Sequence, residues 1–288
     1  MTIEKFNKSF SNFLNKYERI IQKVFDAVTS FKEYCPNTYR YSSKYKPLRS
    51  HYKYTDKLFI GCILYITFNN SSWNSFIGPI PGKQVHKKFM EYSNKGIFSD
   101  VFNKSIKEYL SFKEDPLVVD SSFVQNRLCT DITHRNPYNK NKRSAKVSAI
   151  VDENGIPLSI TIEDSNNHDA KLFDNVFSKM INNDNISKKI NKNTTLLANK
   201  EYDSNKIKSY KMKSIIAFNK RNTKDKTKIK TLTKQEKIKY KKRVKVEHFF
   251  GFIKGYPKIN VVYEKTLRSY YNLVLIVSTL KITKSIPT

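Results

Sequence analysis

Two acids and one amide stand out in this chain for where they sit. Asp120 follows the apolar run PLVV, Asn199 follows TTLLA, and Glu247 lies in KQEKIKYKKRVKVEHFFGFIKG, a stretch with helical periodicity. An acid leaving a buried strand is placed to ligate a metal at a sheet edge, although aspartate at a strand end is also an ordinary turn former. Around Glu247 the pattern is richer. At about 3.6 residues per turn, Tyr240, Arg243, Glu247 and Lys254 project from near one helix face. Such a stripe is unsuited to a core. It suits a site where a carboxylate holds a divalent ion while cations grip phosphate beside it. Other single residues take plainer readings. His168 and Asp169 open a helix, His248 points about 100° away from Glu247 and reads as packing, and Trp73 and Phe76 read as core.

The elements that must position these residues change character along the chain. The apolar positions of FNKSFSNFLNKYERIIQKVFDAV recur at helical spacing and predict one amphipathic helix within residues 1–45. TDKLFIGCILYITFN, with Thr55 as N-cap, predicts a buried helix. KQVHKKFMEYSNKGIF and SDVFNKSIKEYLSF each predict another, so the region to about residue 112 is helical. Beyond it PLVVDSSFV, AKVSAIVD, IPLSITIED, NTTLLAN and SIIAF are short, rich in β-branched residues and bounded by turn residues. AIVDENGIPLSITI predicts a hairpin turning at Asp152 to Gly155, then a helix from about His168 to Ile181. A short helix is predicted from about Asp203 and an apolar helix over RSYYNLVLIVSTLKI. The fold class that follows is α+β: a helical bundle over 1–112, then a mixed sheet with flanking helices over 113–288.

Charge points to the partner. Lys and Arg total 54 against 25 acids, a formal net charge of +29. Such a field draws in polyanions and releases their counterions, which makes nucleic acid the leading partner. AT-rich coding, visible in the excess of Lys over Arg, supplies part of the charge but does not remove acids. Between Asn219 and Arg243 the chain carries twelve basic residues against Asp225 and Glu236, including Lys237, Lys239, Lys241 and Lys242, and reads as a basic segment leading into a helix. Cys35, Cys62 and Cys129 lack metal-ligand or disulfide spacing and read as free thiols. The apolar runs are too short for a membrane span, and MTIEKFNKSF has no signal-peptide pattern, so the expected location is inside the cell.

The spacing of Tyr240, Arg243, Glu247 and Lys254 resembles the YREK signature of insertion-sequence DDE transposases. VVDSSFV resembles their first catalytic aspartate block, KRSAKVSAIVDENGIPLSITIEDSNNHDA the hairpin after it, and LANKEYDS the block usually written LADKGYDS. ILYITFNNSSWNSF followed by VHKKFMEYSNKGIF resembles their helical N-terminal region, and the resemblance covers roughly residues 45 to 283. It implies a ribonuclease H-like core with catalytic, metal-ligating positions at Asp120, 199 and Glu247. It also implies two Mg²⁺ or Mn²⁺ ions driving phosphodiester transfer, and a homodimer or higher oligomer on double-stranded DNA, at transposon ends and target, wherever in the cell the DNA lies. Tyr240, Arg243, Lys254 and Lys237, Lys239, Lys241 and Lys242 would contact that DNA. Two positions depart from the family: Asn199 replaces an aspartate and Glu201 a glycine. An amide oxygen can ligate Mg²⁺ but carries no charge, and a glutamate in a glycine position is expected to be strained. The readings that result are a transposase disabled at position 199 or, alternatively, a domesticated, non-catalytic DNA-binding descendant of one. A general nucleic-acid-binding protein would account for the charge but not for the YREK spacing.

Overall fold

The computed structural model describes residues 3–34, 54–109, 116–136, 141–165, 169–204, 207, 210, 212–219 and 231–286. The chain opens with α1 (Ile3–Lys16), α2 (Glu18–Tyr34), α3 (Asp56–Phe68), α4 (Gly82–Asn94) and α5 (Ile97–Glu108). The sheet follows: β1 (Leu117–Asn126), β2 (Arg135–Asn136), β3 (Lys142–Val151) and β4 (Pro157–Asp164). Next come α6 (Asp169–Ile181), α7 (Asp184–Ser187), β5 (Thr195–Ala198) and β6 (Lys213–Ile216). Last are α8 (Lys234–Tyr240), a 3₁₀ turn at Lys241–Arg243, α9 (Val244–Lys254), α10 (Pro257–Asn260), β7 (Val261–Val262) and α11 (Leu267–Ser285).

The single N-terminal helix expected from periodicity is two, parted at Tyr17. Both halves pack on α3, and beyond it they face different partners. Phe6, Phe10 and Phe13 of α1 build an aromatic cluster with Tyr65 and Phe76, whereas the Ile20, Val24 and Val28 stripe of α2 packs toward α3 and α5. Residues 35–45 of that expectation lie outside the described residues, as do Cys35 and His168. Cys62 and Cys129 are free, buried thiols. Thr55 caps α3, its Oγ1 accepting from the Leu58 amide at 3.3 Å. The break between α4 and α5 falls at Gly96, with φ of +71°, rather than two residues later, because a left-handed residue stops the first helix there. No helix of the described residues is long and apolar enough to cross a membrane.

The sheet runs β2-β3-β1-β5-β6, with β4 paired to β3 and β7 to the far end of β1. β4, β3 and β1 are antiparallel, while β1, β5 and β6 are parallel. A three-stranded antiparallel meander joined to two parallel crossover strands, with helices on its faces, is the ribonuclease H-like arrangement, so the fold is α+β with a helical N-terminal region ahead of a mixed sheet. α11 closes the architecture by packing on β4 and on α2, α3, α4 and α5. One continuous hydrophobic cluster therefore runs from Phe6 to Ile282.

The β3–β4 turn rests on Asp152, which is 0% exposed. Its Oδ1 accepts from the Asn154 and Ile156 amides at 2.9 and 2.8 Å, and its Oδ2 accepts from the Tyr109 hydroxyl at 2.9 Å. Gly155 closes the turn at φ +77°, a conformation open to glycine. Burial pushes the Asp152 carboxyl above its ordinary value against the opposing effect of these donors. A raised folded-state pKa means that ionising this carboxyl costs stability at neutral pH, and that the loss is regained as pH falls through the folded value, in full below the unfolded one. Asp152→Ala, which abandons three donors, should cost about 2–4 kcal/mol. Asp152→Asn should cost far less at pH 7, with the parent gaining on it as the pH is lowered. Denaturant melts of both variants at neutral and acid pH check this.

Candidate active site

Leu117, Val118 and Val119 are completely buried between β3 and β5, and this fixes β1 in the middle of the sheet. Leu117 pairs with Leu196 and Val118 with Leu197 in parallel register. Continued by two residues, the same register sets Asp120 beside Asn199. β5 ends at Ala198 while β1 runs on to Asn126, so both side chains emerge where the sheet opens on the β5 side.

Asn199 caps the 3₁₀ turn Lys200–Tyr202, its Oδ1 accepting from the Glu201 amide at 2.8 Å, and the buried Tyr202 ring anchors that turn. The other end of the amide, Nδ2, donates to Asp120 Oδ1 at 3.1 Å. That oxygen also accepts from the Ser121 amide at 2.8 Å. Glu201 is exposed and, among the described residues, the only non-glycine positions with positive φ are Asn70 and Asn141. The strain expected at Glu201 is therefore absent: a 3₁₀ turn needs no glycine. Asp203 accepts from the Asn219 amide at 2.8 Å.

From the opposite side α8, the 3₁₀ turn and α9 form an almost continuous helical rod, its first turn fixed by a capping box between Thr233 and Glu236. In a 3₁₀ turn residues three apart eclipse, which keeps Tyr240 and Arg243 on one face ahead of Glu247. The Arg243 fork joins the two acids: NH1 donates to Asp120 Oδ2 at 2.7 Å and NH2 to Glu247 Oε1 at 2.6 Å. Asp120, Asn199, Arg243 and Glu247 thus form one hydrogen-bonded chain across 127 residues of sequence. Burial raises the Tyr240 hydroxyl above its ordinary value, with Arg243 opposing and Asp120 and Glu247 adding to the shift. Lys254 lies one further step along α9, its ammonium donating to Ser122 Oγ at 2.7 Å and Phe123 O at 2.9 Å, and burial pulls its pKa down.

Lys237, Lys239, Lys241 and Lys242 are exposed on the rod, and Lys242 reaches Glu153 of the β3–β4 turn at 3.1 Å. Residues 220–230 of the basic segment lie outside the described residues. His248 is exposed, which corrects its reading as a packing residue. Trp73 is half-buried, its indole N–H donating to Glu264 at 2.9 Å under the Lys258 ammonium. Sequence reasoning missed Ser122, which seats Lys254; the alternation of a strand, two residues on from Asp120, was the signal that could have found it.

As a donor set the centre holds two carboxylates already shared with a guanidinium and one amide already spent on a cap. Among the described residues no group of three or more His, Cys, Asp or Glu side chains could hold a metal ion. The residues present therefore do not fit a pair of divalent ions, which needs a bridging carboxylate where Asn199 stands.

Comparison with known proteins accords with this architecture. The family model described as the transposase DDE domain matches residues 111–278, which include Asp120, Asn199 and Glu247. No curated protein and no solved structure matches the chain. Since that model spans more than half of the 288 residues, from the segment before β1 into α11, the chain belongs to the transposases of the DDE-domain family.

Proposed function

We propose that this chain is a DDE transposase in descent and in DNA binding whose strand-cutting centre, at Asp120, Asn199 and Glu247, is impaired at position 199. The observation that carries the reading is the orientation of the Asn199 amide. Turned the other way, its oxygen would face the Asp120 carboxylate and its NH₂ the Glu201 amide, two repulsive contacts in place of two hydrogen bonds. Asn199 is thereby committed to offering Asp120 a donor, where an aspartate would offer charge to a metal.

DDE transposases work with divalent cations, which in phosphodiester transfer supply positive charge at the attacking and leaving oxygens. In this chain Asp120 and Glu247 are the residues left to hold Mg²⁺ or Mn²⁺. DNA contact does not depend on them. Tyr240, Arg243, Lys254 and the lysines at 237, 239, 241 and 242 present phosphate-binding groups along one rod, and two of the three Lys254 N–H donors go to β1, leaving the third for a phosphate. We assign to residues 1–112 a role in DNA binding or assembly and to 113–288 the catalytic core. The partner is double-stranded DNA, at transposon ends and target, engaged inside the cell by a dimer or higher oligomer. The domesticated, non-catalytic reading shares the Asn199 observation and differs only in allowing no residual cleavage.

A DNA titration tests the proposal. Binding of a duplex should fall steeply with salt, and Glu247→Ala should leave it intact. Replacing the four lysines 237, 239, 241 and 242 by Gln should weaken it and shallow the salt slope by up to about 4. Cleavage in Mn²⁺ should rise no more than slightly above the Glu247→Ala background, and not at all on the domesticated reading. Robust cleavage by the chain as it stands that needs both Asp120 and Glu247 would show that the site is complete and the impairment wrong.

A further inference from the structure

Lys258, in α10, is 6% exposed, and its ammonium makes no hydrogen bond or ion pair among the described residues. It lies over the Trp73 ring, 5.1 Å from the centroid, and burial pulls its pKa down while the nearby Glu264 carboxylate opposes the shift. Glu264 is 5% exposed, and one of its oxygens accepts from the Trp73 indole N–H at 2.9 Å. Its second oxygen has no hydrogen-bond partner among the described residues. One indole thus carries a charged donor over its ring and a charged acceptor at its N–H, and the two do not reach each other. Buried groups left in this state cost stability unless something supplies the missing bonds. Both side chains line a single cavity of about 760 Å³, the size of a small-molecule site.

The cavity lies between the α3–α4 loop, α4 and the β7–α11 loop, with Leu128 beyond the end of β1. Asp120 is six residues from the end of β1 at Asn126, roughly 20 Å at about 3.3 Å per residue, so the cavity is no part of the Asp120 centre. Its lining says what fits. His86, Leu128 and Tyr263 offer flat or apolar surface, and the exposed Lys265 adds a cation. A matching ligand presents an acceptor to Lys258 and donors to Glu264 side by side on a planar group, and carries an anion for Lys265. The guanine edge has this order: O6 accepts, and N1–H and N2–H₂ beside it donate as a pair to a carboxylate. Adenine gives a carboxylate one amino group only. In duplex DNA the same guanine groups are already paired to cytosine. We propose that this cavity binds a free guanine nucleotide, with O6 on Lys258, N1–H and N2–H₂ on Glu264 and the phosphate at Lys265. The site is independent of the DNA-binding reading above.

Trp73 is the single tryptophan of the chain, so its fluorescence reports on this cavity alone. Titration with GMP should change Trp73 emission saturably, and calorimetry should give the same affinity. AMP, equal in charge, should bind about tenfold more weakly or worse, which separates base recognition from attraction to a chain of net charge +29. Glu264→Gln keeps an oxygen for the Trp73 N–H but turns a donor toward the base, and Lys258→Met removes the ammonium while keeping a buried apolar stem. Each should melt no lower than the parent by more than a few degrees and lose about tenfold or more in GMP affinity. Lys107→Gln, exposed on α5, should leave that affinity within about twofold. Equal affinity for GMP and AMP, or GMP binding untouched by both cavity variants, overturns the proposal. So does a Trp73 response to guanine-containing single-stranded DNA with none to GMP, which would give the cavity to a strand instead. No saturable response to either probe overturns the site, whatever the affinity of the chain for duplex.

Discussion

Asn199→Asp is expected to make the metal-free protein less stable and the metal-loaded protein more active. In the parent, Asn199 Nδ2 donates to Asp120 Oδ1 at 3.1 Å. An aspartate in the same place can still cap the Glu201 amide with one oxygen, but its second oxygen then faces a carboxylate at hydrogen-bond distance. Two carboxylates so placed cannot both ionise cheaply, and in the absence of metal the variant should lose about 1–3 kcal/mol at neutral pH. A divalent ion turns the same repulsion into ligation. Mg²⁺ or Mn²⁺ should therefore raise the Tm of the variant and leave that of the parent almost unmoved. On a cognate transposon end, metal-dependent cleavage should rise by about two to three orders of magnitude, the scale on which one preorganised charge acts in a transition-state site. Because Glu201 adopts a relaxed 3₁₀ turn, the repair should not need Glu201→Gly as well. Adding Glu247→Ala to the variant should abolish the gain, which separates it from contaminating nuclease. A variant as stable as the parent without metal, and no more responsive to it, would contradict the carboxylate pairing on which the argument stands.

Much of this centre is legible in the sequence because its parts are local. PLVV and TTLLA read as buried strands whose next residue must emerge from the sheet, and the YREK spacing places four groups on one helix face whatever lies opposite. Asn154-Gly155 fixes the hairpin that sets β4 beside β3. What sequence periodicity could not give were decisions made by distant partners. The break at Tyr17 depends on Phe76 drawing α1 one way and α5 drawing α2 another while both pack on α3. The half-buried state of Trp73 depends on Glu264, 191 residues away. The double commitment of Asn199 needed both the 3₁₀ turn and the carboxylate across the strand gap, neither of which its own neighbours reveal. Residue type at 199 announced a lost charge; only the geometry says what the amide does in its stead.

Arg243 is where the parent's stability, its metal affinity and its hold on DNA should come apart. Its guanidinium spans Asp120 and Glu247, so it occupies the electrostatic position that a cation bound between the two acids would take. The two halves of that bridge are unequal. Glu247 is 52% exposed and its i,i+4 pair contributes only a few tenths of a kcal/mol, whereas Asp120 is 14% exposed and its pair is shielded enough to matter. Arg243→Gln should consequently lower stability by about 2 kcal/mol, nearly all of it through Asp120 left with an uncompensated charge. The same vacancy should strengthen Mn²⁺ binding, since the ion no longer competes with an internal cation, and Mn²⁺ should recover much of the lost stability. Affinity for DNA should drop with a salt slope shallower by about 1, because one phosphate-binding group is gone. Arg243→Lys keeps the charge but not the planar fork, so it should retain the salt slope while bridging only one acid and losing part of the stability. Calorimetric Mn²⁺ titration of both variants, with and without duplex, resolves the two effects. If Arg243→Gln neither loosens the metal-free protein nor tightens Mn²⁺, the guanidinium is a bystander, and the two acids are held in place by β1 and α9 alone.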